Sequence, residues 1–154
     1  MRGMVVRPAL RGITLHQPYA SLIACGAKRI ETRSWAPAYR GQIAIHAAKR
    51  WGMIEADNAA TFRVAFGLAL APPLPLGAVV AVAVLVDCRR MDAEWIDEQT
   101  DQELAMGGWE EGRYGWVIED VRPLVDPFPL KGHQGLWRMS PDEVEEIEMR
   151  EARP

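Results

Sequence analysis

The chain has 154 residues, 49% hydrophobic and 25% charged, which suits one domain with its own core and excludes a disordered, fibrous or membrane-spanning composition. Cys25 and Cys88 are too few for a disulfide framework and lack metal-ligand spacing, and the first residues are too short and interrupted for a secretory leader, so a cytoplasmic location is expected. The net charge of −3 conceals a split: residues 1–50 hold nine Lys/Arg against a single acid, Glu31, while the remainder is acidic, which suggests a basic face for phosphate-bearing ligands.

In chain order, residues 12–15 read as a short strand. His16-Gln17-Pro18 then opens a helix with Pro18 at its first position, and Tyr19, Leu22 and Ile23 form the inward stripe. The start of that helix offers backbone N–H groups beside His16 and Gln17, a place for an anion or a carbonyl. Gly26 stops the helix, because glycine takes the left-handed conformation without steric cost. Residues 30–35 alternate as a strand, with Glu31, Arg33 and Trp35 on one face and Ile30, Thr32 and Ser34 on the other. Lys28 sits in the turn, within reach of the charged face.

After a loop at 36–41, residues 42–47 alternate as a strand with Ile43 and Ile45 inward and Gln42, Ala44 and His46 outward. Ala48-Lys49-Arg50-Trp51 is basic with an aromatic, as base-stacking surfaces are. From residue 53 to about 70, Ile54, Ala59, Phe62, Ala65, Phe66 and Ala69 mark a core-covering helix closed by Pro72-Pro73. Residues 76–88 read as a long strand buried on both faces, of a length that suits a bent strand shared around a barrel. Residues 91–111 hold eight acids and no base, a solvated excursion with one helical turn anchored by Trp95, Ile96 and Leu104.

Residues 115–121 form the next strand, and the prolines at 123, 127 and 129 predict an irregular edge after it. Residues 131–135 turn into a closing strand at 136–139. Ser140-Pro141-Asp142-Glu143 is a capping box opening a last, acidic surface helix. The expected organisation is an N-terminal extension at 1–11, one domain at 12–139 and an acidic C-terminal helix and tail at 140–154.

Gln-Pro-Tyr-Ala-Ser-Leu-Ile at 17–23, Gly-Ala-Lys-Arg-Ile-Glu-Thr-Arg-Ser-Trp at 26–35 and Tyr-Arg-Gly-Gln-Ile-Ala-Ile-His-Ala at 39–47 together resemble the ASCH domain, whose hallmark Gly-x-Lys-x-x-Glu-x-Arg is matched by Gly26, Lys28, Glu31 and Arg33. Tyr-Gly-Trp-Val at 114–117 and Gly-x-Gln-Gly-Leu-Trp at 132–137 agree with it, so the resemblance spans roughly residues 12–138. It implies an α+β, mostly β, PUA-like fold: a small antiparallel β-barrel with flanking helices. It also implies a cleft between barrel and first helix lined by the hallmark residues, and a connection with RNA and modified nucleosides. One branch of the family hydrolyses acetylated cytidine with a lysine, a threonine three residues on and a distant glutamate. Here Glu31 stands where that threonine would be, Thr32 points to the opposite face, and Glu103 is only a loose match for the glutamate. The threonine mechanism is therefore not carried over.

Three functions follow from these residues. The first is a binding module for single-stranded RNA or a nucleotide-like small molecule. In it Lys28 and Arg33 meet phosphate or a ring carbonyl, Glu31 accepts from an amine or hydroxyl, Trp35 or Trp116 stacks, Gln17 and Tyr19 read the base edge, and His46 lies nearby. The alternative is a metal-independent hydrolase or ribonuclease with Lys28 and Glu31 as the acid/base pair, against which stands the weakness of an ion-paired carboxylate as a base. The third is mere bracing, which predicts a cleft filled by side chains. No metal, cofactor or membrane partner is implied, and the oligomeric state is left open.

Overall fold

The computed structural model describes residues 9–70 and 72–151, so most of the N-terminal extension lies outside the described residues. Six strands form one mixed, curled sheet in the order β2-β5-β4-β3-β1-β6. They are β1 (Arg11–Leu15), β2 (Ile30–Arg33), β3 (Gly41–Ala47), β4 (Ala78–Arg90), β5 (Tyr114–Pro129) and β6 (Trp137–Arg138). Pairing is antiparallel except between β1 and β3. Helices α1 (Tyr19–Ala24), α2 (Met53–Phe66), α3 (Ala93–Asp97), α4 (Asp101–Ala105) and α5 (Pro141–Arg150) flank it. The expected mostly β fold with flanking helices is what the chain forms, its barrel taking the form of a curled half-barrel.

One sheet face packs Ile13, Leu15, Ile43, Ile45, Leu85 and Trp116 against α1, whose Ala20 and Ile23 are fully buried. The other face packs Ala44, Val79 and Val82 against Val144 and Ile147 of α5. The outward side of β3 is thus covered rather than solvated, and α5 carries its acids on the face turned away from the sheet's core. Its capping box at Ser140 and Glu143 forms as the sequence predicts. A smaller cluster joins Leu22, Phe62, Leu70 and Met106.

Expectations for α2, β5 and the acidic stretch need correction. In α2 the buried stripe is Glu55, Ala59 and Phe62, whereas Ile54 is 63% exposed. Ile54 precedes Ala59 by five positions, which rotates it off the face that Glu55 shares at four. The helix ends at Gly67, with φ at +64°, before the proline pair is reached. Strand β5 continues through its prolines to Pro129, with one register shift against β4 between Pro123 and Phe128 and two more, with a positive φ at Asp120, ahead of them. Beyond Ile118, whose N–H donates to Arg29 O, no strand of the described residues pairs along its outer side and an isolated bridge joins Leu124 to Glu151, so a missing N–H donor there costs little. The acidic stretch is no mere excursion: it forms two helices and contributes buried Trp95, Glu103 and Met106.

Gly26 ends α1 as expected, with φ at +82°. The Gly26 N–H donates to Ile23 O and the Ala27 N–H to Leu22 O, the paired bonds that satisfy the last carbonyls of a helix. Nothing lies within 4 Å of where its Cβ would stand, so a substitution there meets conformational strain and no clash. Gly26→Val is expected to lower stability by about 1–2 kcal/mol and Gly26→Asn by less. Urea denaturation checks this, and an unchanged midpoint for the valine variant contradicts it.

Candidate functional site

The turn at Gly26 feeds the chain into β2, which pairs with β5 so that Glu31 faces Trp116 and Arg33 faces Tyr114. Alternation then sets Glu31 and Arg33 side by side. Arg33 Nε and Nη2 stand 3.3 and 3.0 Å from Glu31 Oε2, while Glu31 Oε1 accepts from the Thr32 N–H at 3.0 Å. Arg33 Nη2 also donates to Thr14 O at 3.0 Å, which ties β2, at one end of the strand order, to β1 near the other. The curl of the sheet makes that contact possible.

Lys28 lies beneath the pair with 1% of its surface exposed. Its Nζ donates to Ile30 O and Met106 O, each at 2.7 Å, and stands 3.6 Å from Glu31 Oε1, an ion-pair distance rather than a hydrogen bond. Burial pushes the Lys28 pKa down, and the carboxylates of Glu31 and Glu103 act against that. Glu103 is buried as well; its Oε1 accepts from the Arg29 N–H at 2.6 Å and its other oxygen has no partner. Burial raises its pKa, opposed by the Arg29 N–H and by Lys28.

Above this layer opens a cleft of about 440 Å³ whose walls include Thr14, His16, Tyr19, Glu31, Thr32, Arg33, Met106, Gly107 and Gly108. Tyr19 is half-buried, and burial with the Glu31 charge raises its pKa. Thr32, expected on the far face, lines the cleft because its Oγ1 accepts the Gly108 N–H at 2.8 Å and draws the 107–108 segment around it. Close approach requires glycine there: a Cβ on Gly107 would stand 2.9 Å from Thr32 Cγ2.

Of the residues singled out in the sequence, Tyr19, Glu31 and Arg33 form the cleft wall, and Trp35, 38% exposed, lines the depression next to it. Lys28 underlies the cleft without reaching its surface. Gln17 is fully buried and spends its side chain on α1: Oε1 accepts the Ser21 N–H at 3.0 Å, and Nε2 donates to Ser21 Oγ and Pro75 O. Pro18 occupies the cap position rather than the first turn, and the Tyr19 N–H donates to His16 O, so the expected anion site at this helix start is already filled from within. Trp116 is fully buried, edge-on to Trp35 at 4.9 Å, with its Nε1 donating to Trp35 O. It backs Trp35 and presents no surface of its own.

His46 is 2% exposed. Its Nε2 donates to Leu130 O at 2.6 Å and its Nδ1 accepts from Thr14 Oγ1 at 3.1 Å, the pattern of a neutral ring, and burial lowers its pKa. Sequence reasoning missed Thr14, Thr32, Met106 and the Gly107-Gly108 pair. Only the adjacent glycines carried a local signal, that of close backbone approach.

Residues 13–128 match the model of the ASCH domain. The chain belongs to the ASCH domain family. It is 29% identical over 131 residues to activating signal cointegrator 1 of Mus musculus and, equally, to that of Homo sapiens. The match takes in 82% of this chain and 22% of those proteins, so the chain spans about a fifth of their length. The crystal structure of ASCH from Zymomonas mobilis superposes with a TM-score of 0.61 at 16% identity, covering 94% of this chain and 96% of that one. A mutant of the same protein gives 0.58, again at 16% identity, with 93% and 99% covered. These likenesses establish the ASCH fold. Among the described residues, no helix is long and apolar enough to cross a membrane, and no group of three His, Cys, Asp or Glu side chains is placed to hold a metal ion.

The buried lysine of this ASCH domain makes a testable demand. Lys28→Met strands two carbonyls without their donor and leaves Glu31 and Glu103 without their buried cation. The expected loss is about 3–5 kcal/mol in urea denaturation. A loss below about 1 kcal/mol would show that the ammonium contributes little to holding the site together.

Proposed function

We propose that this ASCH domain is an RNA- or nucleotide-binding module whose cleft takes one nucleoside unit, free or within single-stranded RNA. The observation that supports this most is the Glu31–Arg33 pair at the wall of a cleft that no side chain fills. An acceptor and a donor fixed side by side match the edge of a nucleobase, where an amine or ring N–H adjoins a carbonyl or ring nitrogen. The side chain of Glu31 is 12% exposed and that of Arg33 27%, so each retains capacity for a ligand while held in place by the other. Tyr19 supplies an apolar wall beside them. Pure bracing would leave no such opening.

A second reading, hydrolysis of RNA or of a modified nucleoside, is favoured by one observation: Lys28, with its lowered pKa, lies 3.6 Å from Glu31. Against it, Lys28 has both close hydrogen bonds committed to carbonyls, and Glu31 already accepts from Thr32 and Arg33.

Glu31→Gln separates the two. Titration calorimetry with the four nucleosides is expected to show binding by the wild type and a loss of about tenfold, or 1.4 kcal/mol, in the variant. A wild type that binds none of the nucleosides and no single-stranded RNA overturns the reading. Turnover of RNA or an acylated nucleoside that falls a hundredfold or more in Glu31→Gln, with binding retained, favours hydrolysis instead.

A further inference from the structure

Three depressions run into one another on this side of the molecule. The Glu31 cleft shares Thr14, His16 and Arg33 with a second depression of about 740 Å³ that adds Trp35, His133 and Gln134. That one shares Thr14, His133 and Gln134 with a third of about 450 Å³, which adds His46, Lys49 and Lys131. Among the described residues, Glu31 is the only carboxylate in the three walls, so the acceptor lies at one end and the cations extend away from it.

The far end is built rather than incidental. The stem of Lys49 lies across Gly77, where a Cβ would stand 2.8 Å from its Cγ and where φ is +60°. Gly132 brings the following loop down onto β1 and β3, since a Cβ there would stand 2.6 Å from Thr14 Oγ1 and 2.7 Å from His46 Cε1. Both lysines are exposed, and neither pairs with a carboxylate of the described residues. Two unneutralised ammonium groups at the end of a groove attract a ligand that carries charge along its length. Between the ends, the exposed indole of Trp35 is backed edge-on by buried Trp116 at 4.9 Å, which fixes its plane as a surface for a base.

We propose that the three depressions form one track for a single-stranded nucleic-acid chain of at least three nucleotides. Trp35 stacks the base beside the one held at Glu31, and Lys49 and Lys131 neutralise phosphates beyond it. This rests on the reading of the Glu31 cleft as a nucleoside site, and it adds that the physiological ligand is a polymer.

The test compares the four nucleosides with the four RNA homohexamers and with a deoxyribose hexamer, over a range of salt. The best hexamer is expected to bind at least tenfold tighter than its nucleoside at low salt. Its log–log salt slope should be about −0.7 per phosphate contacted, and less steep by about 1.4 in the double variant Lys49→Ala, Lys131→Ala. Trp35→Ala should weaken the hexamer at least fivefold and the nucleoside much less. Nucleoside binding at Glu31 with hexamers no tighter, or a salt slope unmoved by the double variant, overturns the track and leaves the nucleoside reading standing. Hexamer binding that needs the lysines and ignores Glu31→Gln sustains the track and overturns the nucleoside reading. Tighter binding of the ribose hexamer than of the deoxyribose one identifies the chain as RNA; equal binding means that the phosphodiester alone is recognised.

Discussion

Lys28 carries its ammonium into a position with 1% of its surface exposed, and the organisation of the cleft follows from what that group must bond there. Removing a charge from water costs several kcal/mol even after relaxation, so it persists only where acceptors meet it. Two are carbonyls from segments far apart in sequence, Ile30 O at the start of β2 and Met106 O just past α4. One ammonium thus pins the strand that bears Glu31 and Arg33 to the segment that bears Gly107 and Gly108. Lys28, lying below the cleft surface, and the bond from the Gly108 N–H to Thr32 Oγ1 together hold the two sides of the cleft at a fixed separation. Glu31 and Glu103 provide the negative charge that makes this tolerable.

The second determinant is the curl of the sheet. In the strand order β2 and β1 are separated by three strands, yet Arg33 Nη2 reaches Thr14 O at 3.0 Å. That contact only exists because the register shifts within β4–β5 and β3–β4 bend the sheet on itself. Thr14 then stands where all three depressions meet, with its carbonyl on Arg33 and its hydroxyl on His46. Side chains from β1, β2, β3 and the 131–134 loop line the three depressions.

Much of this was legible locally. Gly26, the alternation of Glu31 and Arg33, and the capping box at Ser140 are each decided by backbone sterics or hydrogen bonds within a few residues, so sequence spacing suffices. What eluded spacing was whatever depends on distant partners. Lys28 reads as a mobile surface cation until Met106 is placed above it. Gln17 and Trp116 read as ligand groups until Ser21 and Pro75 claim the amide and the Trp35 backbone claims the indole N–H. The acidic stretch at 91–111 reads as solvated because charge composition does not reveal that Glu103 turns inward to the Arg29 N–H. Thr32 alternates away from Glu31, and only the folding back of Gly108 onto its hydroxyl makes it part of the cleft.

The central claim is that a nucleobase sits against Glu31 and Arg33, between Tyr19 and the Gly107-Gly108 rim. Backbone amide NMR during titration with each of the four nucleosides tests it most directly. The account predicts that at least one nucleoside shifts the Thr32, Arg33, Gly107 and Gly108 amides most, with smaller changes at the Trp35 indole N–H. Shifts confined to the opposite face, around Arg122 and α5, or no shifts with any nucleoside, would contradict it.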